Sequence, residues 1–462
     1  MENFWDYNVW GGFNLLAVLL LSLLAANLLK KSFKFLQASL IPTSVLAGAI
    51  LVIVAGIYKF STGGTIMFDT AFFGGNGTAS LEIITYHTLA LGFIASTFTG
   101  SDKKFTKERT SEIFNTGVTT VSTYLLQGVI GMIITIVAAK FFIEEFFPAS
   151  GLLLPFGYGQ GTGQALNYGG IYENDFSFIG GKSFGLTVAA FGFISASVGG
   201  VIHLNILKKR GVFKKRVGEE GAVMSETIQN DDEIPMQESI DKLTIQIALI
   251  AASYFLAYLL MHLLGSFLPN MRSVIFGFNF LLGVLGATLI KVLMKFLKNK
   301  NVIKKQYVND FLMTRVSNFF FDIMVVAGIA AIRLEILEKR WGILLILGVA
   351  GFSITYIYNH FVAKTLFKKY PEEQFLAMYG MLTGTASTGI ILLRELDGDF
   401  KTPAADNLVY QNFPAIVFGF PLMFLALLAP EKPILTVGIL FAFFLVLNVI
   451  LFRKQIFRRN KK

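Results

Sequence analysis

The chain has 462 residues, of which 54% are hydrophobic and only 15% are charged, and it contains no cysteine. Ordinary soluble domains carry about 25% charged residues, so this composition excludes a disordered chain, a disulfide-rich scaffold and a large soluble enzyme. The class that fits is an all-α protein that crosses a membrane several times. The net charge of +10 then raises the question of where the lysines and arginines lie.

Apolar runs of about 18 residues or more can cross the ~30 Å hydrocarbon core of a membrane as helices. Five such runs lie in the first half of the chain, at residues 11–29, 38–57, 83–99, 113–139 and 184–207. Clusters of lysine and arginine follow the first, third and fifth runs. Because basic residues mark the cytoplasmic ends of spans, the pattern predicts an outside N-terminus. It also explains the net charge without a nucleic-acid partner.

The second half of the chain repeats this plan. Runs at 243–264, 274–297, 311–332, 343–366 and 408–428 are five further predicted spans, and an extra run at 434–452 precedes a basic tail. Five is odd, so two matching halves would insert with opposite topology. The sequence predicts a first inverted repeat over 11–207, a cytoplasmic connector over 208–241 and a second inverted repeat over 242–430. An extra transmembrane helix and a basic cytoplasmic tail would follow over 431–462.

Each half contains one helix-breaking segment before its fifth span. Residues 151–170 include seven glycines and one proline, and residues 375–395 are rich in glycine, threonine and serine. Broken helix at membrane depth is tolerated only where protein or a water-filled cavity surrounds it. Interrupted helices at matching positions of two repeats are typical of a secondary transporter and its binding site. Glycine-rich segments also serve as close-packing helix faces, which is the alternative role.

The candidate site residues lie in these two breaks. Bare backbone and neutral polar side chains would bind substrate at Gly159, Gln160, Gly161, Thr162, Gly163, Thr385, Ser387 and Thr388. Freed carbonyl groups, such as that of Gly384, would bind a cation. Arg394 is a candidate clamp for a carboxylate, with a salt bridge at the cytoplasmic edge as its alternative role.

One carboxylate lies near the middle of a predicted span. A charge at the position of Asp322 costs at least ~2.5–3.5 kcal/mol unless it faces the protein interior or a cation. Asn318 lies four residues earlier, on the same helical face. The pair is interpreted as a cation site, with an internal hydrogen bond as the alternative. The four histidines are scattered without metal-ligand spacing, so no metal other than Na⁺ and no cofactor are expected.

These segments resemble the bacterial sodium/glutamate symporters over about residues 12–430. The sequence Gly159-Gln160-Gly161-Thr162-Gly163 with Ala165 is similar to the family's G-H-G-T-G-A-A segment, with Gln160 where histidine is usual. Further similarities lie at Ile41-Pro42 with Ala47-Gly48, at Phe191-Gly192 and at Gly199-Gly200. Gly384-Thr385-Ala386-Ser387-Thr388 stands where the family has G-A-T-P-T, so Ser387 replaces a proline, and Leu392 replaces a common asparagine.

The resemblance implies two inverted five-helix repeats, each with a re-entrant broken hairpin, and a homodimer in the inner or plasma membrane. It also implies Na⁺-coupled import of glutamate or a related small carboxylate by an elevator-like motion. A Na⁺/H⁺ antiporter is an alternative, because it also combines broken helices with an intramembrane aspartate. A membrane-embedded enzyme is a second alternative, but the sequence shows no nucleophile–base pair or metal cluster for it, and no catalytic residue is expected.

Overall fold

The computed structural model describes residues 3–99, 106–211, 233–236, 239–398 and 401–458. Over these residues the regular structure is helical, with one isolated β-bridge between Glu233 and Gln306 and no strand. The predicted all-α class is therefore confirmed. Most of the predicted connector over 208–241 lies outside the described residues, as do Lys103, Lys104 and the end of the basic tail.

The first half of the described chain forms seven helices. They are α1 (Tyr7–Ser32), α2 (Lys34–Ala38), α3 (Thr43–Ser61), α4 (Gly77–Phe98), α5 (Lys107–Phe141), α6 (Gly161–Asp175) and α7 (Gly181–Lys209). Short 3₁₀ turns lie at Met67–Asp69, Ala71–Phe73 and Pro148–Leu152, and a π-turn lies at Pro155–Gly159.

The second half continues with eleven helices among the described residues. The first six are α8 (Lys242–Phe267), α9 (Arg272–Gly277), α10 (Asn279–Asn299), α11 (Asp310–Ala330), α12 (Trp341–Leu366) and α13 (Pro371–Thr383). The last five are α14 (Ala386–Leu396), α15 (Ala404–Tyr410), α16 (Asn412–Leu428), α17 (Pro433–Leu451) and α18 (Arg453–Arg458). Two 3₁₀ turns lie at Pro269–Met271 and Leu334–Arg340.

Ten helices in the described part of the chain are long and apolar enough to cross a membrane. Counting the bent pair α15 and α16 as one further span gives eleven. Each of the eleven predicted runs overlaps one of these elements. Their lengths and compositions are those of a multi-pass helical membrane protein.

The run predicted at 274–297 is divided at Phe278 into α9 and α10. Two further predicted spans are wrong in detail because of proline. The run predicted from residue 38 begins as α3 only at Thr43, because Pro42 lacks an N–H and disfavours helix at the preceding Ile41. The run predicted at 408–428 is two helices that meet at a bend of 51°. The ring of Pro414 conflicts with the carbonyl four residues earlier, at Tyr410, where α15 ends.

The chain divides into two compact units, and each unit draws helices from both halves of the sequence. Unit 1 comprises Met1–Leu20, Ile57–Lys104 and Val223–Gly328. Its core lies where α4, α8 and α10 pack together. A Cβ placed on Gly286 of α10 would lie 2.6 Å from the carbonyl oxygen of Ser253 in α8, so the two helix backbones are in direct contact.

Unit 1 also holds the end of the predicted connector. The carboxylate of Glu233 accepts hydrogen bonds from Lys242 over 2.7 Å and from Asn309 over 2.6 Å. Glu233 and Lys242 are each at most 2% exposed. Glu233 and Ile234 at the described end of the connector are thus buried, whereas residues 239–241, directly before α8, are exposed.

Unit 2 comprises Leu21–Gly56, Phe105–Ala222 and Ile329–Lys462. It contains α5, α7 and α12 and both predicted breaks. The predicted extra helix, α17, packs along α5. In addition, the hydroxyl of Tyr358 in α12 donates to the side-chain oxygen of Asn448 in α17 over 2.9 Å. The extra helix is therefore an integral part of unit 2.

Candidate functional site

The first break, defined as residues 155–163, interrupts helix where the glycine-rich sequence predicts it. It comprises the π-turn Pro155–Gly159, Gln160 and the first three residues of α6, which begins at Gly161. Gly161 has φ +78°, a left-handed conformation that favours glycine. All residues of this break are buried except Gln160, which is half-buried. Isolated π-turns are rare and often lie at functional sites.

Close contacts with neighbouring helices hold the first break in place. A Cβ placed on Gly159 would lie 2.2 Å from Cε1 of Tyr124 in α5. A Cβ on Gly157 would lie 2.8 Å from the backbone nitrogen of Ala189 in α7. The Tyr124 hydroxyl also donates to the carbonyl oxygen of Gly159 over 3.1 Å. A side chain at position 157 or 159 would therefore displace α7 or the Tyr124 ring.

The second break, defined as residues 383–388, connects α13 to α14. The Thr385 hydroxyl caps α14 by accepting from the backbone N–H of Thr388 over 3.4 Å. The two helices then pack as a hairpin, since a Cβ placed on Gly380 would lie 2.7 Å from Cα of Gly389. Thr385 and Ser387 are half-buried, whereas Thr388 is buried.

The two breaks meet inside unit 2. A Cβ placed on Gly161 would lie 3.5 Å both from the carbonyl oxygen of Gly384 and from Cγ2 of Thr385. α7 packs against both breaks, because a Cβ on Gly192 would lie 2.5 Å from the carbonyl oxygen of Thr383 and 3.2 Å from Cα of Tyr158. We call the meeting point the junction and define it by Gly161, Thr162, Gly384 and Thr385.

Two helices begin at the junction. α6 starts at Gly161 and α14 starts at Ala386. The first N–H groups of a helix have no partner within it, and the helix dipole makes this end attractive to anions. α13 ends at Thr383, and the last carbonyl groups of a helix carry the opposite partial charge. Segments without a single charged side chain thus offer donors to an anion and acceptors to a cation.

Gln127 of α5 bonds to the last turn of α13 and lies beside the first break, although the sequence did not single it out. Its Nε2 donates to the carbonyl oxygen of Leu382 over 3.1 Å and to the hydroxyl of Thr355 over 2.9 Å. Its Oε1 would lie 3.2 Å from a Cβ on Gly159, and this buried oxygen has no hydrogen bond. Most buried polar atoms in proteins are paired, so Gln127 keeps one acceptor open beside the first break.

A sequence signal for Gln127 exists in the spacing of polar residues along α5. The residues of this stripe are fully buried, and each has another member three or four positions away: Thr116, Thr119, Thr120, Thr123 and Gln127. That spacing places them on one helical face. A polar stripe inside an otherwise apolar span indicates an interior or water-lined surface, and it extends the candidate site beyond the breaks.

Three predicted site residues lie away from the junction or in the other unit. Arg394 is exposed in the last turn of α14, about 13 Å along the helix axis from Thr385. Asn318 and Asp322 share an exposed face of α11 in unit 1, whereas both breaks belong to unit 2. The carboxylate-clamp and cation-binding roles of these residues therefore stay predictions.

No protein-family model matches the chain, and no curated protein matches it either.

Proposed function

We propose that the protein is a Na⁺-coupled symporter that imports glutamate or a related small carboxylate, and that the junction binds the substrate. The observation that carries this proposal is the meeting of two helix N-termini where Gly161 faces Gly384 and Thr385. Broken helices whose ends converge in this way are the usual form of a substrate site in secondary transporters.

The substrate carboxylate would bind backbone N–H groups in the first turns of α6 and α14. Hydroxyl groups line the same place, because Thr162 follows Gly161 directly and Thr385 and Ser387 flank the start of α14. Gln160, Thr385 and Ser387 are half-buried, so a ligand can reach them. Neutral donors suit this task, since they bind an anion without holding it so tightly that release becomes slow.

Na⁺ would bind oxygen atoms, which are the ligands that hard cations prefer. The carbonyl groups of Thr383 and Gly384 end α13 beside the junction, and the open Oε1 of Gln127 lies beside the first break. Asp322 with Asn318 is proposed as a separate oxygen set on α11. A bound Na⁺ would offset the charge of a nearby carboxylate, and this mutual attraction would couple the two ligands.

The wider proposal follows the pattern of basic clusters and the two matched breaks. The protein would lie in the inner or plasma membrane as a homodimer, with its N-terminus outside and its C-terminus in the cytoplasm. Each break would be a re-entrant hairpin of an inverted repeat, and transport would proceed by an elevator-like motion. The membrane potential contributes roughly 2.3 kcal/mol per charge per 100 mV, so Na⁺ entry can drive accumulation without a further cofactor or a catalytic step.

Uptake by proteoliposomes tests this function. Purified protein is reconstituted, a Na⁺ gradient is imposed, and accumulation of labelled L-glutamate is compared with a K⁺ gradient of the same size. A panel of small carboxylates is run in parallel, because Gln160 and Ser387 differ from the pattern that the sequence resembles. We expect Na⁺-dependent accumulation of L-glutamate or of another panel member. Na⁺-driven proton movement without any organic substrate would contradict a symporter and support an antiporter.

A further inference from the structure

Three helices of unit 2 bring two histidines and a glutamate together away from the junction. His203 lies near the end of α7, His360 lies in the second half of α12, and Glu372 lies in the first turn of α13. One possible ligand atom from each residue lies within 4.8 Å of the other two. We call this set the His–His–Glu cluster. It is the group of three potential metal ligands that the described residues contain.

The distances within the cluster are close to those of a metal site. Nε2 of His203 lies 3.0 Å from Oε2 of Glu372, and the two imidazole rings lie 5.4 Å apart at an interplanar angle of 71°. Around a tetrahedral Zn²⁺ with bonds of about 2.0–2.2 Å, neighbouring ligand atoms lie about 3.3 Å apart. Side-chain rotations that move the ligand atoms by about 1 Å would therefore bring all three to one ion.

The surroundings hold the ligands in a suitable orientation. Nδ1 of His203 lies 2.8 Å from the hydroxyl of Tyr356, which leaves Nε2 facing Glu372. A hydrogen bond to the second ring nitrogen is the usual support of a metal-bound histidine. The ring of Phe375 packs on both imidazoles, with centroids 4.3 Å from His203 and 5.2 Å from His360. Phe375 therefore provides the apolar wall that excludes water from one side.

One ring nitrogen in the cluster has no hydrogen-bond partner. Nδ1 of His360 is buried and makes no hydrogen bond, although buried polar atoms are normally paired. A metal ion bound to the cluster would use a neutral imidazole at this position. Lys364 opposes metal binding, because its positively charged ammonium lies 3.8 Å from Oε1 of Glu372. Its side chain is 44% exposed, so it can turn into solvent when an ion binds.

We propose that the His–His–Glu cluster binds a divalent transition-metal ion, with Zn²⁺ as the best fit. Two imidazoles and one carboxylate are a ligand set that Zn²⁺ favours, and three protein ligands leave a fourth position for water. The ion would fix the start of α13 to α7 and α12. α13 ends at the junction, so the ion would brace the helix that carries the second break.

Metal binding by the purified full chain tests this site, with any affinity tag removed and with Co²⁺ as the probe. Chelator-treated protein in detergent is titrated with Co²⁺ while its visible absorption is recorded, and Zn²⁺ is then added as a competitor. We expect one Co²⁺ per chain with the absorption of a tetrahedral site, and we expect Zn²⁺ to displace it.

Two variants and one control assign the binding to the cluster. His360→Gln and Glu372→Gln should each weaken Co²⁺ binding at least tenfold, while His262→Gln, which alters an exposed histidine of unit 1, should leave it unchanged. Elution of each variant on a sizing column shows that it is folded. Absence of a stoichiometric Co²⁺ site, or equal binding by wild type and both cluster variants, would overturn the proposal. Neither result bears on Na⁺-coupled uptake, which is measured separately.

Discussion

The two breaks meet at one junction but differ in burial and in packing. The first break, residues 155–163, is buried apart from Gln160, and its glycines lie against the side chain of Tyr124 and the backbone of α7. The second break, residues 383–388, is also closely packed at Gly384, but it leaves Thr385 and Ser387 half-buried, and a threonine hydroxyl caps the helix that follows it. One side of the junction is therefore almost fully buried, and the other side is partly exposed.

This difference leads us to expect different roles for the two breaks in substrate binding. Under the proposed function, the first break would set the shape of the site, because its close contacts leave no room for side chains. The second break would set affinity and selectivity, since its polar groups can change partners when a ligand binds. Substitutions in the first break should abolish transport, and substitutions in the second break should shift the apparent affinity.

The largest effect is expected from Gly161→Val. A β-branched residue at φ +78° costs about 1–2 kcal/mol or more, and its side chain would enter the space between the two breaks. We expect proteoliposome uptake to be lost while the protein still elutes as a folded species. Gly63→Val is the matched control, because Gly63 has φ +71° but nothing within 4 Å of its Cβ position. Equal loss in both variants would mean that backbone strain alone is responsible.

A smaller but clear effect is expected from Gln127→Leu. The substitution leaves the Leu382 carbonyl without its donor and removes the open Oε1. Under the proposed function this oxygen binds Na⁺, so we expect its loss to lower the ratio kcat/KM for uptake about tenfold, which corresponds to about 1.4 kcal/mol. The Leu382 carbonyl that loses its partner separately costs about 1–3 kcal/mol of folding stability. Thr85→Val in α4 is the control, since the buried Thr85 hydroxyl donates to the carbonyl oxygen of Leu81 in its own helix and belongs to unit 1, whereas both breaks belong to unit 2. Normal uptake by Gln127→Leu would remove Gln127 from the site.

The substitution Asp322→Asn tests whether the affinity for Na⁺ depends on α11 as well as on the breaks. Replacing a carboxylate ligand with a neutral amide weakens the attraction for Na⁺. We expect the Na⁺ concentration for half-maximal uptake to rise several-fold, with little change in the maximal rate. Asp310→Asn is the control, because it makes the same chemical change in the first turn of the same helix. An unchanged Na⁺ dependence of Asp322→Asn would limit the cation site to the breaks.

The smallest effect is expected from Thr385→Ala. Removal of a helix N-cap hydroxyl costs about 0.5–2 kcal/mol, and here it also removes a hydroxyl beside the substrate position. We expect the KM for the carboxylate to rise about threefold to tenfold with the maximal rate nearly unchanged. Thr385→Ser keeps the hydroxyl and should behave like wild type. A loss of affinity in both variants would point to the methyl group instead.

The sequence predicted features that depend on neighbouring residues better than contacts between residues that are far apart in the chain. The spans and the two breaks follow from runs of neighbouring residues, so they were visible without the structure. The bend before Pro414 was also encoded locally, but the apolar run around it concealed the break. Gln127 and the His–His–Glu cluster were not found, because their roles depend on helices that are far apart in the chain. Only packing brings such residues together.

Na⁺-dependent binding of labelled L-glutamate to purified protein tests most directly whether the junction is the substrate site. Wild type, Gly161→Val and Gly63→Val are measured in equal concentrations of Na⁺ and K⁺, with the panel of small carboxylates as competitors. We predict saturable binding of L-glutamate or a competing carboxylate that requires Na⁺, disappears in Gly161→Val and persists in Gly63→Val. Binding that is indifferent to Na⁺, or that Gly161→Val retains in full, would contradict the account.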